Sequence, residues 1–345
     1  MSIRTIAGLR SMQAAPLEVK LVMTQRRIAQ WVDEWGEDGV YVSFSGGKDS
    51  TVLLDIARKM YPNLKAMFVD IPTQYPELKQ FVQTFDNVDI VKPKMNFFQV
   101  CEKYGFPIIS KENAGIVFKV LRAKKDRETL ANYKKLCGTF KNPKSGRLSA
   151  YNAPQVKYFL DAPFAISNEC CTVMKHKPCR KYEKETGRVP ITAQMAYEST
   201  NRRQKWIEHG CNMFDVKNPI SNPMSFWTEQ DVLKYIRENN ISICSVYGDI
   251  VSDAEEMGQM NFADFGIENA ETEEKLHCTG CQRTGCVLCA FGAHLERERE
   301  RARFVLLKQT HPKMYQLLDV CKNNGVTYRE ALEWINAQGH QHIYF

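Results

Sequence analysis

The stretch Val40-Tyr-Val-Ser-Phe-Ser-Gly-Gly-Lys-Asp-Ser-Thr-Val-Leu-Leu-Asp55 constrains this chain more than any other. Its apolar run, Val40 to Phe44, reads as a buried strand. Polar and glycine residues follow, and Ser50 and Thr51 then open an apolar-periodic helix with Val52, Leu53 and Ile56 on its inner side. A strand, a glycine turn and a helix N-terminus together form an anion site. Gly46 and Gly47 let a ligand approach the backbone, and the free N–H groups and the helix dipole favour negative charge. The Gly-x4-Gly-Lys-[Ser/Thr] spacing of a Walker loop is absent.

Further strand and helix patterns alternate around this stretch. An amphipathic helix is expected over residues 18–36, with Leu21, Val22, Ile28, Trp31, Val32 and Trp35 at helical spacing. A second strand, Lys65 to Val69, ends at Asp70; a helix is expected from Pro76 to Phe85 and a third strand from Asp89 to Val91. Such alternation predicts an α/β fold with a doubly wound, mostly parallel sheet, in which ligands sit beyond the carboxyl ends of the strands. Ser43, Ser45 to Ser50 and Asp70 all lie at such ends. Further helices are expected over Phe97–Tyr104, Gly115–Cys137, from Glu198 or Ser199, over Trp227–Ile236 with Thr228 as its cap and Asp231 three residues on, and from His294 to about Gln309. Strand character returns at Arg188–Thr192. The resulting division is a helical segment over 1–37, a nucleotide-binding domain over 38–248, an acidic loop and cysteine-rich segment over 249–292, and a helical C-terminal part over 293–345.

Charge and cysteine content narrow the chemistry. The net charge is +7, yet residues 111–157 alone hold 12 Lys and Arg against 3 acidic residues. This basic insertion suits a polyanion such as nucleic acid, and a solvated basic surface is the alternative reading. No window approaches 18 uninterrupted apolar residues and residues 1–16 lack a signal-peptide core, so a cytoplasmic protein with no membrane span is expected. Seven of the twelve cysteines fall into two groups. Cys278-x2-Cys281 and Cys286-x2-Cys289 form one, and four thiolates at this spacing suit zinc or a [4Fe–4S] cluster equally. The tandem Cys170-Cys171, with Cys179 nearby, forms the other.

The pattern Ser45-Gly46-Gly47-Lys48-Asp49-Ser50 resembles the pyrophosphate loop of the adenine nucleotide alpha hydrolases, a Rossmann-like superfamily. Phe68–Glu77, Cys170-Cys171-Thr-Val-Met-Lys175, Ala196–Arg202 and Trp227–Tyr247 resemble successive segments of its phosphoadenosine phosphosulfate reductase family. The Cys281-x-Arg283-x-Gly285-Cys286-x2-Cys289 form looks like the cluster segment of relatives that install sulfur on DNA. The resemblance implies an adenine nucleotide on Ser43, Ser45, Gly46, Gly47, Lys48, Asp49, Ser50, Asp70, Lys175, Arg202 and Arg203, with Lys48, Asp49, Asp70 and Arg202 catalytic and Mg²⁺ on the phosphates. It also implies a [4Fe–4S] cluster on Cys171, Cys281, Cys286 and Cys289, with Cys170 and Cys278 as substitutes. A zinc knuckle of Cys278, Cys281, Cys286 and Cys289 is the alternative.

Two departures from the family pattern bear on the reaction. The loop is intact where the reductases' is degraded, and the tail Gly339-His-Gln-His-Ile-Tyr-Phe345 lacks the reductases' reactive cysteine. Both favour ATP as the substrate and an adenylylating, pyrophosphate-releasing sulfurtransferase as the activity. The alternatives are a sulfonucleotide reductase using an external thiol, and a zinc-containing nucleotide-binding module without catalysis.

Overall fold

A computed structural model describes residues 4–124, 126–143, 145–256 and 275–345. The chain divides into two compact units: residues 1–70, 75–91 and 179–284 form the first, and residues 71–74, 92–178 and 285–345 the second. No described helix is long and apolar enough to cross a membrane.

The first unit is a six-stranded sheet with helices. Its strands are β1 (Val40–Ser43), β2 (Ala66–Val69), β3 (Val88–Val91), β4 (Val189–Ile191), β5 (Asn212–Met213) and β6 (Ile220–Ser221), in the spatial order β3-β2-β1-β4-β6-β5. Every pair is parallel except β5 with β6. This is the expected mostly parallel sheet. The central strand β1 is buried at Val40, Tyr41 and Val42, as a strand covered on both faces requires. Helix α1 (Leu17–Trp35) and helix α2 (Lys48–Met60) pack in one core with it, through Ile28, Trp31, Val52, Leu53 and Ile56.

Helix α1 differs from its expected inner face. The buried stripe runs Leu17, Lys20, Thr24, Ile28, Trp31, while Val22 is 49% and Trp35 37% exposed. Two polar residues sit inside because each has a partner. Lys20 Nζ lies 2.7 Å from both carboxylate oxygens of Asp231, and Trp227 Nε1 donates to Thr24 Oγ1 at 2.8 Å. Asp231 also closes the capping box of helix α3 (Glu229–Glu238) with Thr228, as the sequence predicts.

The second unit has its own aromatic core, in which Phe106 stacks on Tyr328 at 4.6 Å and Phe164 meets Trp334 edge-on at 5.4 Å. Helix Phe97–Tyr104 forms at its expected bounds under an Asn96 capping box. The single helix expected over Gly115–Cys137 is instead two, Lys111–Leu121 and Ala131–Leu136, split by a polar stretch where Asp126 caps a short 3-10 turn. The helix expected from His294 begins only at Arg303. The Glu/Arg repeat over 296–301 offers no apolar side chain to bury, and Glu296 instead accepts from Arg303 Nε at 2.5 Å. Of the acidic stretch expected over 249–276, residues 257–274 lie outside the described residues; its described ends pair as antiparallel strands, Ile250–Ser252 with Leu276–Cys278.

Candidate active site

In the first unit the glycine loop joins β1 to α2. Gly46 has φ +73°, and a side chain there would begin 3.0 Å from Val82 Cγ2, so both conformation and space call for glycine. Hydroxyls tie the loop together. Ser45 N–H donates to Ser50 Oγ (3.1 Å), Ser50 Oγ–H donates to the Gly47 carbonyl (2.9 Å), and Thr51 Oγ–H reaches the same carbonyl at 3.1 Å.

Lys48, the first residue of α2, is buried, with Nζ 3.0 Å from the Gln282 carbonyl and 3.0 Å from Glu229 Oε1. Burial opposes its charge, but Asp49, Glu229 and Tyr247 outweigh that, so the ammonium holds its proton more tightly than a free lysine. The Lys48 N–H donates to Tyr247 Oη at 3.1 Å, and the Tyr247 and Thr284 hydroxyls are 2.7 Å apart. Asp49 Oδ1 is buried and makes no hydrogen bond among the described residues. Burial raises the pKa of this carboxyl; Glu229 adds to the rise, and Lys48, Arg283 and Arg202 oppose it. A carboxylate oxygen left open beside a phosphate loop fits a Mg²⁺ ligand.

The other expected nucleotide residues divide. Arg202 lies in electrostatic reach of Asp49 and pairs with Glu198, whose Oε2 also accepts from the Met195 N–H at 3.1 Å. Asp70, just past β2, pairs with Lys79 at 2.7 Å. Arg203 reaches Thr200 Oγ1 at 3.4 Å on its own helix, Thr200–His209. Ser43 ends β1. Lys175 belongs to the second unit, in a π-helical turn, Thr172–His176, that follows Cys171.

That second unit gathers thiols. Cys170, Cys171, Cys286 and Cys289 are electrostatic neighbours there. The Cys171 thiol is pulled down to about 5 by its hydrogen bond from Cys170, with the Lys111 and Lys175 ammonium groups adding to the effect; Cys170 is pushed up by the same bond and by burial. Burial pushes Cys286 up to about 12, and its Sγ lies 2.8 Å from Thr73 Oγ1. Arg303 Nη1 holds the Cys289 and Phe291 carbonyls, each at 3.0 Å, where strand Ala290–Phe291 pairs with Ile108–Ile109. Among the described residues no three Cys, His, Asp or Glu side chains already stand close enough to hold a metal ion. Soft thiols with one drawn to thiolate are nevertheless the donors an iron–sulfur cluster takes. Cys278 and Cys281 lie in the first unit, where Cys281 Sγ is 3.3 Å from Tyr75 Oη.

Sequence reasoning gave no role to Glu229, Tyr247, Gln282 or Arg283 at the loop, nor to Thr73 and Arg303 at the thiols. Tyr247 and Arg283 stand inside motifs quoted for the resemblance, which was their available signal. Glu229 resembles any acidic residue in a first helical turn, and Gln282 acts through its carbonyl, which no side-chain pattern reveals.

A mostly parallel α/β sheet with this loop at the end of its central strand is an adenine nucleotide alpha hydrolase-like fold. The chain belongs to the family of the phosphoadenosine phosphosulfate reductase domain, whose sequence model matches residues 39–106 and 127–291. The uncharacterized protein MJ0973 of Methanocaldococcus jannaschii is 23% identical over 299 residues, which cover 85% of this chain and 50% of that protein. The chain thus spans about half the length of this curated relative. Two solved structures align in part. The phosphoadenylyl-sulfate reductase of Candida auris, in a phosphate complex, is 14% identical, with coverage of 74% of this chain and 94% of that one and a TM-score of 0.36. The FMN adenylyltransferase of Candida glabrata is 11% identical, with coverage of 69% and 64% and a TM-score of 0.37.

Proposed function

We propose that this protein is an ATP-dependent sulfurtransferase that adenylylates its acceptor and releases pyrophosphate. The observation that carries the reading is the intact Ser45–Ser50 loop with Lys48 buried at its helix N-terminus and held as the ammonium. An acceptor oxygen attacks the α-phosphorus of ATP, and the bond from that phosphorus to the bridging oxygen of pyrophosphate breaks. Lys48 and the loop amides offset the charge that develops on the departing pyrophosphate, and Asp49 would hold Mg²⁺ there. In this reading Arg202, in electrostatic reach of Asp49, binds an anionic group of the nucleotide. A sulfur nucleophile then displaces AMP: the acceptor–sulfur bond forms as the acceptor's bond to the AMP oxygen breaks.

The cluster in this proposal is [4Fe–4S], with Cys170, a substitute in the sequence reading, taking the place of Cys281 beside Cys171, Cys286 and Cys289, because these four thiols are electrostatic neighbours in the second unit. When bound it would supply the sulfur-handling or redox chemistry. The acceptor proposed is a nucleic acid. From Thr129 to Lys157 the chain carries six Lys and Arg and no acidic residue, and Tyr151, 48% exposed, lies against Lys135.

The family match keeps a second reading in view, reduction of a sulfonucleotide by an external thiol. Anaerobically purified protein would be assayed for iron, zinc and visible absorbance, then for pyrophosphate released from ATP with oligonucleotide acceptors, and for sulfite released from phosphoadenosine phosphosulfate. Pyrophosphate release that depends on Lys48 supports the sulfurtransferase. Sulfite release without pyrophosphate release would replace it with the reductase.

A further inference from the structure

The segment Cys281–Thr284 of the first unit lies across the glycine loop. Its Gln282 carbonyl accepts from Lys48 Nζ at 3.0 Å, and its Thr284 hydroxyl is 2.7 Å from the Tyr247 oxygen that takes the Lys48 amide proton. A methyl group on Gly47 would fall 3.1 Å from Thr284 Oγ1 and 3.2 Å from Tyr247 Oη, so the Thr284 and Tyr247 hydroxyls close tightly over the glycine backbone. Backbone bonds from Gly280 N–H to the Tyr247 carbonyl and from Cys281 N–H to the Val246 carbonyl, both 2.8 Å, fix the segment's approach. Residues 282 and 284 therefore anchor whatever stands between them.

Arg283 stands between them. Its side chain is 72% exposed, and its ion-pair partner, Glu198 Oε1, is 3.9 Å away, beyond hydrogen-bond distance. Among the described residues Arg283 makes no hydrogen bond. Glu198 is already engaged by Arg202 and by the Met195 amide. Around the loop, Lys48, Arg202 and Arg283 are matched in number by Asp49, Glu229 and Glu198, and Arg283 has the loosest pairing of the three cations. Lys48 has committed two of its three N–H donors, to Gln282 and Glu229, so one remains for a phosphate oxygen. A triphosphate carries more charge than one ammonium donor and the loop amides can satisfy, and a planar guanidinium with free donors beside them is the complement it lacks.

We propose that Arg283 binds the β- and γ-phosphates of ATP on the Ser45–Ser50 loop, so that the cysteine-rich segment itself supplies a nucleotide ligand. This rests on reading the loop as an ATP site. It gives the Arg of the Cys-x-Arg-x-Gly-Cys-x2-Cys pattern a task separate from the thiols on either side.

The test is calorimetric titration of the full-length protein, and of its Arg283→Ala and Arg283→Lys variants, with ATP and with AMP in the presence of Mg²⁺. Loss of a charge-assisted hydrogen-bonding group predicts ATP binding weakened by about tenfold in Arg283→Ala, with AMP affinity unchanged and Arg283→Lys in between. Equal ATP affinity in Arg283→Ala and the parent would overturn the assignment and leave the ATP site standing. An equal loss for ATP and AMP would also overturn it, since the change would then act through the fold of the segment. If the parent protein binds no ATP, the loop reading and this inference fall together.

Discussion

Lys48 stands where the sequence expects it, because its placement depends on local chain geometry: a strand end, two glycines and the first turn of a helix. Its position predicts that Lys48→Ala lowers pyrophosphate release by about 10²-fold or more, the scale of losing one preorganised charge at a reacting phosphate. A steady-state pyrophosphate assay checks this, and an unchanged rate would remove the loop from the chemistry. Its long-range partners were not legible. Glu229, Tyr247 and Gln282 lie 181, 199 and 234 positions away, and no local pattern connects them. His294 was equally silent. Burial, with the Arg303 cation adding, pushes this imidazole below 6.5, and its Nδ1 is buried with no hydrogen bond among the described residues. The unfolded chain therefore binds a proton more readily than the folded one. The stabilising contribution is complete above about pH 6.5 and is lost as pH falls through the lower folded value. Thermal melts between pH 7.5 and 5.5 should show the parent losing stability faster than His294→Gln; parallel losses would contradict this.

At the scale of elements, strands β1 to β4 and the helix capped by Thr228 were legible because their signals are short-range, whereas the two-residue strands β5 and β6 are too short to show a pattern. The Thr228 capping box forms where the sequence places it, and helix Phe97–Tyr104 forms at its expected bounds. The misjudged helices share one cause: a stretch with good helix propensity but no apolar face has nothing to pack against, as in 122–130 and 296–301. Helix α1 shows the converse, since Lys20 and Thr24 occupy its buried stripe and blur the periodicity that would have marked the face. The Lys20–Asp231 pair links this helix to the N-terminus of α3, which presents Glu229 to Lys48. Breaking one side of such a buried pair leaves a charge uncompensated. Lys20→Met should therefore destabilise the protein by about 3 kcal/mol in urea titrations, with an added Asp231→Asn restoring part of the loss. Thr228→Ala, which removes only a cap, should cost about 1 kcal/mol. Equal costs for the two single changes would show that the buried pair carries no special weight.

At the scale of the molecule, the cysteines show what linear order conceals. Cys278 to Cys289 reads as one knot, yet Cys278 and Cys281 fall in the first unit while Cys286 and Cys289 fall in the second. Cys170 and Cys171, more than a hundred residues earlier, are the thiols beside Cys286 and Cys289. Spacing alone could not choose between a four-cysteine knuckle and the set of Cys171 with Cys281, Cys286 and Cys289, since both satisfy the same local turns. The second set, with Cys170 in place of Cys281, is the one proposed, because Cys170, Cys171, Cys286 and Cys289 are electrostatic neighbours and the Lys111 and Lys175 charges favour the Cys171 thiolate. The two sets predict different losses. After anaerobic purification, Cys171→Ala and Cys286→Ala should each abolish bound iron and visible absorbance, while Cys278→Ala retains both. Nucleotide affinity gives an independent readout, since Cys171→Ala leaves every loop contact of Lys48 and Asp49 in place and should bind ATP as the parent does. Loss of bound metal in Cys278→Ala, with zinc and no iron in the parent, would instead assign the site to the knuckle and detach the sulfur chemistry from the tandem cysteines.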